Sequence, residues 1–296
     1  MGKEVLELLF ADNDGTLWTL KMKYGLLSVP GSVNVGDAVQ TGLIRDMYEE
    51  RGIKDYVRIQ SGNTTGYKGD KILLPLNSWN KYDGPHDTKW FAQSPDIDYL
   101  YLGFHLQGNL RTFGKNVKLK SDYPIGCRDV PTRDFLRSLG YNAYFSGCVS
   151  MTLPKRPEGD YRLVYVIDDD ARKGLPFCDP VDLRPITSLC LPKDAPWEKC
   201  EELARERIAL LRDTAKLVIT SRLHVYLPCV AMGIPVLFTR PIIPRTSLVE
   251  IFTPATVDYI KPLVQQNFKN ALFDEGECVA KQLDDMAVIA ERPFDK

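Results

Sequence analysis

Along the chain, short apolar runs alternate with longer stretches in which apolar residues return every third or fourth position. The short runs predict strands at Tyr24–Val29, Tyr56–Gln60, Lys71–Leu76, Asp98–His105, Tyr141–Phe145, Arg162–Ile167, Pro185–Leu191, Lys216–Thr220 and Ile234–Thr239. Pro75 weakens the third of these near its end, because it cannot donate to a ladder. The longer stretches predict helices: Ala38–Glu50 with Val39, Leu43, Ile44 and Met47 on one side, and a helix opening at Pro131 with Phe135, Leu136 and Leu139 inward and Gly140 after it. Trp197–Asp213 follows, with Cys200, Leu203, Ile208, Leu210 and Leu211 toward a core, then Arg222–Met232, and finally Asp258–Phe268 and Glu277–Ile289. Asp37 is the expected N-cap of the first helix.

Strands that alternate with helices of this length predict parallel sheets joined by crossovers, and two such runs predict an α/β protein of two Rossmann-like, doubly wound domains. The boundary is placed in the Pro/Gly/charge-rich stretch Leu153–Asp160, giving residues 1–155 and 156–296, with the terminal helices free to pack back on the first domain. The remaining stretches are less regular. Asn13–Gly15 carries turn chemistry, so the first twenty residues either link two edge strands or cover one. Asn77–Trp90 is polar and punctuated by Gly and Pro, and is expected to be a short helix and loop. Gln107–Lys120 holds Arg111, Lys115, Lys118 and Lys120 and is read as a solvated hairpin face.

In α/β units, chemistry gathers where the carboxyl end of a strand meets the next helix N-terminus. Within Lys216–Arg240 that place is occupied by Ser221, Arg222 and His224. An arginine supplies a planar, permanently charged donor fork for carboxylate or phosphate, and a histidine beside it can donate or accept a proton. Ser221 can cap the helix as well as bind. The same residues also suit a purely structural arrangement, an arginine bridging two domains and a histidine bonded to backbone. Gly31–Asp37 is a glycine-bearing loop that can bring amides to an anion while Asn34 and Asp37 orient hydroxyls, or it is only a turn before a capped helix. It is not a G-x-G-x-x-G fingerprint. Asp168, Asp169 and Asp170 end a strand, where they could hold a metal, act in proton transfer, or be solvated turn residues.

Charge and cysteine content narrow the partners. With 38 basic and 39 acidic residues in 296, the formal net charge is −1, which gives no reason to expect nucleic-acid binding through bulk charge. Apolar residues make up 44% and charged residues 26%, an ordinary globular mixture. The 7 cysteines are scattered with no C-x-x-C pair, and the 3 histidines, His86, His105 and His224, do not cluster with them. A structural zinc site is therefore not expected, and reduced thiols in a cytosol-like compartment are. No run reaches the roughly 20 apolar residues that cross a bilayer, and Glu7 interrupts the apolar start expected of a signal peptide.

Three stretches, GSVNVGDAVQ at Gly31–Gln40, GCRDVPTRDFLRSLGYNAYFSGCVSMTL at Gly126–Leu153 and TSRLHVYLPCVAMGIPVLF at Thr220–Phe238, together resemble the polysaccharide pyruvyl transferases. The resemblance implies two domains facing across a cleft, similar to GT-B glycosyltransferases. It implies transfer of a pyruvyl ketal group from phosphoenolpyruvate to a sugar hydroxyl of a glycan or glycan precursor, without a further cofactor or metal. On its motifs, Arg222 and His224 match the arginine and histidine near phosphoenolpyruvate, with His224 as general acid. Arg128 matches a first-domain arginine facing the anionic donor. Asn34 and Asp37 match the glycine-rich motif, Asp37 as base or acceptor-orienting group. Peripheral contact with a lipid-linked glycan is compatible with this reading. Two other functions fit the same residues: glycosyl transfer from a nucleotide sugar, and carbohydrate binding without catalysis.

Overall fold

The computed structural model describes residues 7–11, 17–21, 23–30, 32, 34–91, 93–167, 183–186, 195–243, 246–273 and 279–291. The aspartates at 168–170 lie outside that set. Glu7–Ala11 (β1) and Leu17–Lys21 (β2) form an antiparallel pair in the register Glu7↔Lys21 to Ala11↔Leu17. This realises the expectation of two linked strands.

The larger sheet is wholly parallel. Its strands are Lys23–Ser28 (β3), Tyr56–Gln60 (β4), Ile72–Leu76 (β5), Trp79–Tyr82 (β6), Ile97–Gly108 (β7), Ile125–Cys127 (β8) and Ala143–Phe145 (β9). They run in the order β4-β3-β5-β7-β8-β9, with β6 added beside the far half of β7. The chain leaves β3 toward β4, then returns to the other side of β3 with β5. The order therefore reverses beside β3, and the crevice this opens at the carboxyl ends of β3 and β5 is where α/β sheets bind ligands. The helix Val35–Glu50 (α1) begins at that crevice.

Helix α1 is anchored to β3 through Thr41 Oγ1, which donates to the Leu27 carbonyl at 2.9 Å, and Tyr48 Oη, which donates to the Gly25 carbonyl at 3.0 Å. Its N-cap is Asn34, not Asp37. The Asn34 Oδ1 accepts from the Gly36 amide at 3.1 Å, whereas Asp37 lies in the first turn. Either residue type can cap, so the choice falls to backbone: Asn34 has the extended φ and ψ of −88° and 113° that a cap requires.

Strand β7 is longer than its pattern suggests because a bulge breaks its alternation. Gly103 takes φ 75°, and the pairing with β8 shifts between Leu102 and Phe104. Tyr99, Tyr101 and Phe104 therefore share one apolar cluster while Leu100 and Leu102 belong to another. Two strand residues of the same parity have been put on opposite faces, and His105 is turned to the side of Leu100 and Leu102. Asn77–Trp90, expected as a short helix and loop, supplies the unexpected strand β6 besides a short 3-10 helix, Pro85–Phe91. The basic stretch after β7 is not a hairpin. It coils as Leu110–Thr112 and the single turn Phe113–Asn116, because Phe113, Val117 and Leu119 are buried under the sheet. The helix Val130–Ser138 (α2) follows β8 with Pro131 in its first turn, as expected, and Asp129 as its cap.

The second sheet, also parallel, has the order β11-β10-β12-β13 with β10 at Leu163–Ile167, β11 at Leu183–Ile186, β12 at Ala215–Thr220 and β13 at Val236–Phe238. Its order reverses beside β10, between β10 and β12. Trp197–Thr214 (α3) precedes β12, and Leu223–Met232 (α4) follows it. Leu210 of α3 is 43% exposed, so the helix buries a narrower face than its pattern predicts. All ten residues of α4 are buried, and Gly233 ends the helix at φ 72°, a left-handed conformation that a Cβ disfavours. Two last helices, Val257–Phe273 (α5) and Ala280–Glu291 (α6), return to the first sheet. One apolar cluster spans both sheets, joining Leu26 and Leu102 of the first to Tyr165 and Val218 of the second through α1, α4 and α5.

A buried ion pair also ties the halves. Glu201 of α3 is 3% exposed, and its carboxylate accepts from Arg45 of α1 and, at 2.7 Å, from Arg58 of β4.

Candidate functional site

The starts of the two helices meet at His224 and Gly36. His224, in the first turn of α4, lies against Gly36, in the first turn of α1: a Cβ on Gly36 would stand 2.3 Å from His224 Cγ and 2.7 Å from Nδ1. Only a residue without a side chain can occupy that place. The imidazole is 8% exposed. Two helix N-termini, each the positive end of a helix dipole, are thus brought to one histidine.

Around this contact the polar groups are already oriented. Ser32 Oγ donates to Asp37 Oδ2 at 2.5 Å and accepts from the Asn34 amide at 3.1 Å, so the loop before α1 fixes the carboxylate. On the other half, Ser221 is buried and Arg222 is exposed. The expectation that Ser221 caps α4 is not met. Arg222 is the N-cap position and has no side-chain capping bond, while Thr220 Oγ1 accepts from the Arg222 amide at 3.0 Å. The structure therefore brings His224 to the segment carrying Asn34 and Asp37, with Ser221 and Arg222 at the start of the same helix.

Arg128 comes directly after β8, at the carboxyl-terminal edge of the first sheet. It is 1% exposed, and among the described residues its Nε and Nη2 have no hydrogen-bond partner. Its charged neighbour Asp129 approaches Nε only to 3.9 Å. That carboxylate is otherwise engaged: Oδ2 accepts from His105 Nδ1 at 2.5 Å, and Oδ1 accepts from the Thr132 amide at 3.0 Å and from Thr132 Oγ1 at 2.8 Å. Burial opposes ionisation of Asp129, but the His105 bond and charge, with Arg128 and Thr132, outweigh it and hold the carboxyl below its usual range. Guanidinium donors left unsatisfied in a protein interior are uncommon, and a water or an anion suits them.

Three features of this region are not legible in the sequence pattern. His105 sits 24 residues before Asp129 on another strand, and only the Gly103 bulge signals that its side is changed. Gly36 looks like one glycine among several until His224 is placed on it. Trp197, the first residue of α3, packs with Val35 and Val39 of α1, and its buried Nε1 makes no hydrogen bond. A cavity of about 790 Å3 between α1, α3 and α5, floored by Leu43, Met47, Ala204 and Ile208, is lined by none of the candidate site residues Asn34, Asp37, Arg128, Ser221, Arg222 and His224.

Among the described residues no group of three His, Cys, Asp or Glu could hold a metal ion, and no helix is long and apolar enough to cross a membrane. Cys127, Cys148, Cys200 and Cys229 are buried free thiols. Burial raises the pKa of Cys127 and Cys229, which suits packing rather than nucleophilic roles.

The family model described as Polysaccharide pyruvyl transferase matches residues 34–240, more than half of the chain. Among curated proteins, none matches the sequence. Among solved structures, an uncharacterized protein from Klebsiella pneumoniae is similar in fold, with a TM-score of 0.51 at 17% identity, over 81% of this chain and 91% of that one.

Proposed function

Because the chain belongs to the polysaccharide pyruvyl transferase family and is therefore a transferase, we propose that it moves a pyruvyl group from phosphoenolpyruvate onto two hydroxyls of a sugar in a glycan or glycan precursor. The observation that carries this reading is Arg128: a buried guanidinium with two unpartnered nitrogens, on the ligand-binding edge of a parallel sheet, fits an anionic substrate.

Phosphoenolpyruvate carries a carboxylate and a phosphate. In the scheme we favour, Arg128 and Arg222 face these groups, with Ser221 and the amides at the start of α4 adding donors. His224 delivers a proton to C3, which becomes a methyl group and leaves C2 electrophilic. One sugar hydroxyl adds to C2 and gives up its proton. A second hydroxyl displaces inorganic phosphate, which departs with the remaining proton, and the ketal is closed. In this scheme Asp37, oriented by Ser32, takes the proton of the adding hydroxyl, and Asn34 orients the acceptor. The screened position of His224 on Gly36 suits a proton transfer to carbon, which bulk water would contest. The scheme needs no cofactor besides the donor itself. We read the two sheets as two Rossmann-like domains of GT-B type, meeting near residue 155, with the acceptor on the first and the donor on the second. Reduced thiols fit work in a cytosol-like compartment, and a lipid-linked acceptor would be met at the membrane surface.

The test is phosphate release from phosphoenolpyruvate by the purified protein, measured across a panel of sugar acceptors with nucleotide sugars offered as competing donors. Release that depends on an acceptor is expected. Turnover with a nucleotide sugar and none with phosphoenolpyruvate would reject the reading, and glycan binding without turnover of either donor would favour a non-catalytic role.

A further inference from the structure

We propose that His105 is a positioning residue that keeps Arg128 available to the anionic substrate by drawing the Asp129 carboxylate away from it. The proposal rests on the anion-binding reading of Arg128 given above and assigns a task to a residue outside the three family-like stretches.

Asp129 and Arg128 are adjacent in the chain and both fully buried, and a carboxylate next to a guanidinium normally pairs with it. Here the pair is loose and makes no hydrogen bond: Oδ2 stays 3.9 Å from Nε, a long ion-pair distance, while the same oxygen lies 2.5 Å from His105 Nδ1. The other oxygen is held by Thr132, whose hydroxyl also accepts from the Leu106 amide at 3.2 Å. Asp129 is thereby clamped between α2 and β7, and Arg128 is left with donors on Nε and Nη2 unspent.

The backbone is shaped for this arrangement. The Gly103 bulge moves His105 to the opposite face of β7 from Tyr101, and the Arg128 amide donates to the Phe104 carbonyl at 2.8 Å, which fixes Arg128 beside the histidine's own strand segment. With Asp129 ionised, the hydrogen of the shared bond resides on His105 Nδ1. Without an N–H donor at that place, nothing would hold Oδ2 against the attraction of Arg128. The carboxylate would then pair with the guanidinium, and an incoming anion would have to compete with it.

The experiment measures phosphoenolpyruvate binding to the full chain by calorimetry, together with KM and kcat, in four variants. His105→Phe should raise the dissociation constant on the order of tenfold, the scale of one hydrogen bond to a charged group, with KM affected more than kcat. His105→Asn, whose amide can donate from the same place, should recover part of the loss. His105→Phe combined with Asp129→Asn should bind more tightly than His105→Phe alone, because the competing charge is gone; a role limited to packing would not produce that rescue. Asp129→Asn alone keeps a capping side chain and should bind at least as well as the parent. Unchanged binding in the folded H105F protein, no rescue by the double variant, or weaker binding in D129N would each overturn the proposal. The last of these decides the matter even if H105F fails to fold. If the parent binds no phosphoenolpyruvate, the donor assignment fails, and the same series titrated with inorganic phosphate decides the role of His105. A parent that bound neither anion would overturn both.

Discussion

The imidazole of His224 rests directly on the backbone of Gly36, so that a methyl group on Gly36 would meet His224 Cγ at 2.3 Å and Cβ at 2.5 Å. Both residues lie in the first turn of a helix, one from each sheet. Their contact joins the carboxyl-terminal edges of the two sheets.

Gly36→Ala is therefore expected to destabilise the protein by about 1–3 kcal/mol, the usual range for overpacking, and to lower turnover by displacing the imidazole. Since the clash includes His224 Cβ, His224→Ala should not relieve it, whereas His224→Gly should. Urea unfolding of the two double variants checks this. Equal behaviour of G36A in the H224A and H224G backgrounds would contradict the contact.

Removal of the His224 side chain should also abolish acceptor-dependent phosphate release while leaving the unfolding transition near that of the parent. The relevant measurement is turnover of H224A at saturating phosphoenolpyruvate, with circular dichroism to confirm the fold. Parental turnover would remove His224 from the mechanism.

The carboxylate of Glu201 accepts from guanidinium groups on α1 and β4; its loss removes their buried partner and leaves Arg45 with Asp46 and Glu49 and Arg58 with Glu198. Breaking a buried pair costs about 3–5 kcal/mol. Arg58 is partly solvated, so Glu201→Ala should fall toward the lower end. The midpoint of denaturant unfolding reports it, and a loss below about 1 kcal/mol, the range of exposed pairs, would show that the bridge is solvated in solution.

Asp129 gives a dependence on acidity whose sign follows from its lowered pKa. The folded protein holds this carboxyl ionised to lower pH than the unfolded chain does. Its contribution to stability is therefore complete above the ordinary carboxylate pKa of about 3.9 and disappears as pH falls through the depressed value. The stability gap between the parent and D129N should shrink as pH is lowered below about 4. A gap that widened toward acid would reverse the assignment.

Asn34→Ala should cost about 1 kcal/mol through loss of the N-cap, and Asn34→Asp should cost little, because aspartate caps equally well. If both variants transfer the pyruvyl group at the parental rate once corrected for folding, Asn34 acts only as a cap and not on the acceptor.

The sequence revealed most where a single element sets its own pattern. Strands buried on both faces read as apolar runs, and helices α1, α2 and α3 read as periodic stretches with punctuating residues, so their existence followed directly. Boundaries moved where two residues competed for one task, as with Asn34 and Asp37 for the cap. The pattern failed where geometry depends on a neighbour distant in the chain. Nothing local distinguishes Glu201 from other helix-surface glutamates, because its partners are 143 and 156 residues away. The site was partly legible for the same reason: Ser221, Arg222 and His224 occupy one strand–helix junction, whereas His105 acquires its meaning only when β7 is laid beside β8.

Asp284 of α6 accepts from Arg133 and Arg137 of α2 and also, at 2.9 Å, from the Phe145 amide at the end of β9. The sheet translated first is thus completed by a carboxylate 139 positions further along. During synthesis, the early half must wait on the ribosome with its last strand unclasped until the late residues emerge. A stop codon or proteolytic nick ahead of Asp284 would therefore injure the part of the molecule made long before it.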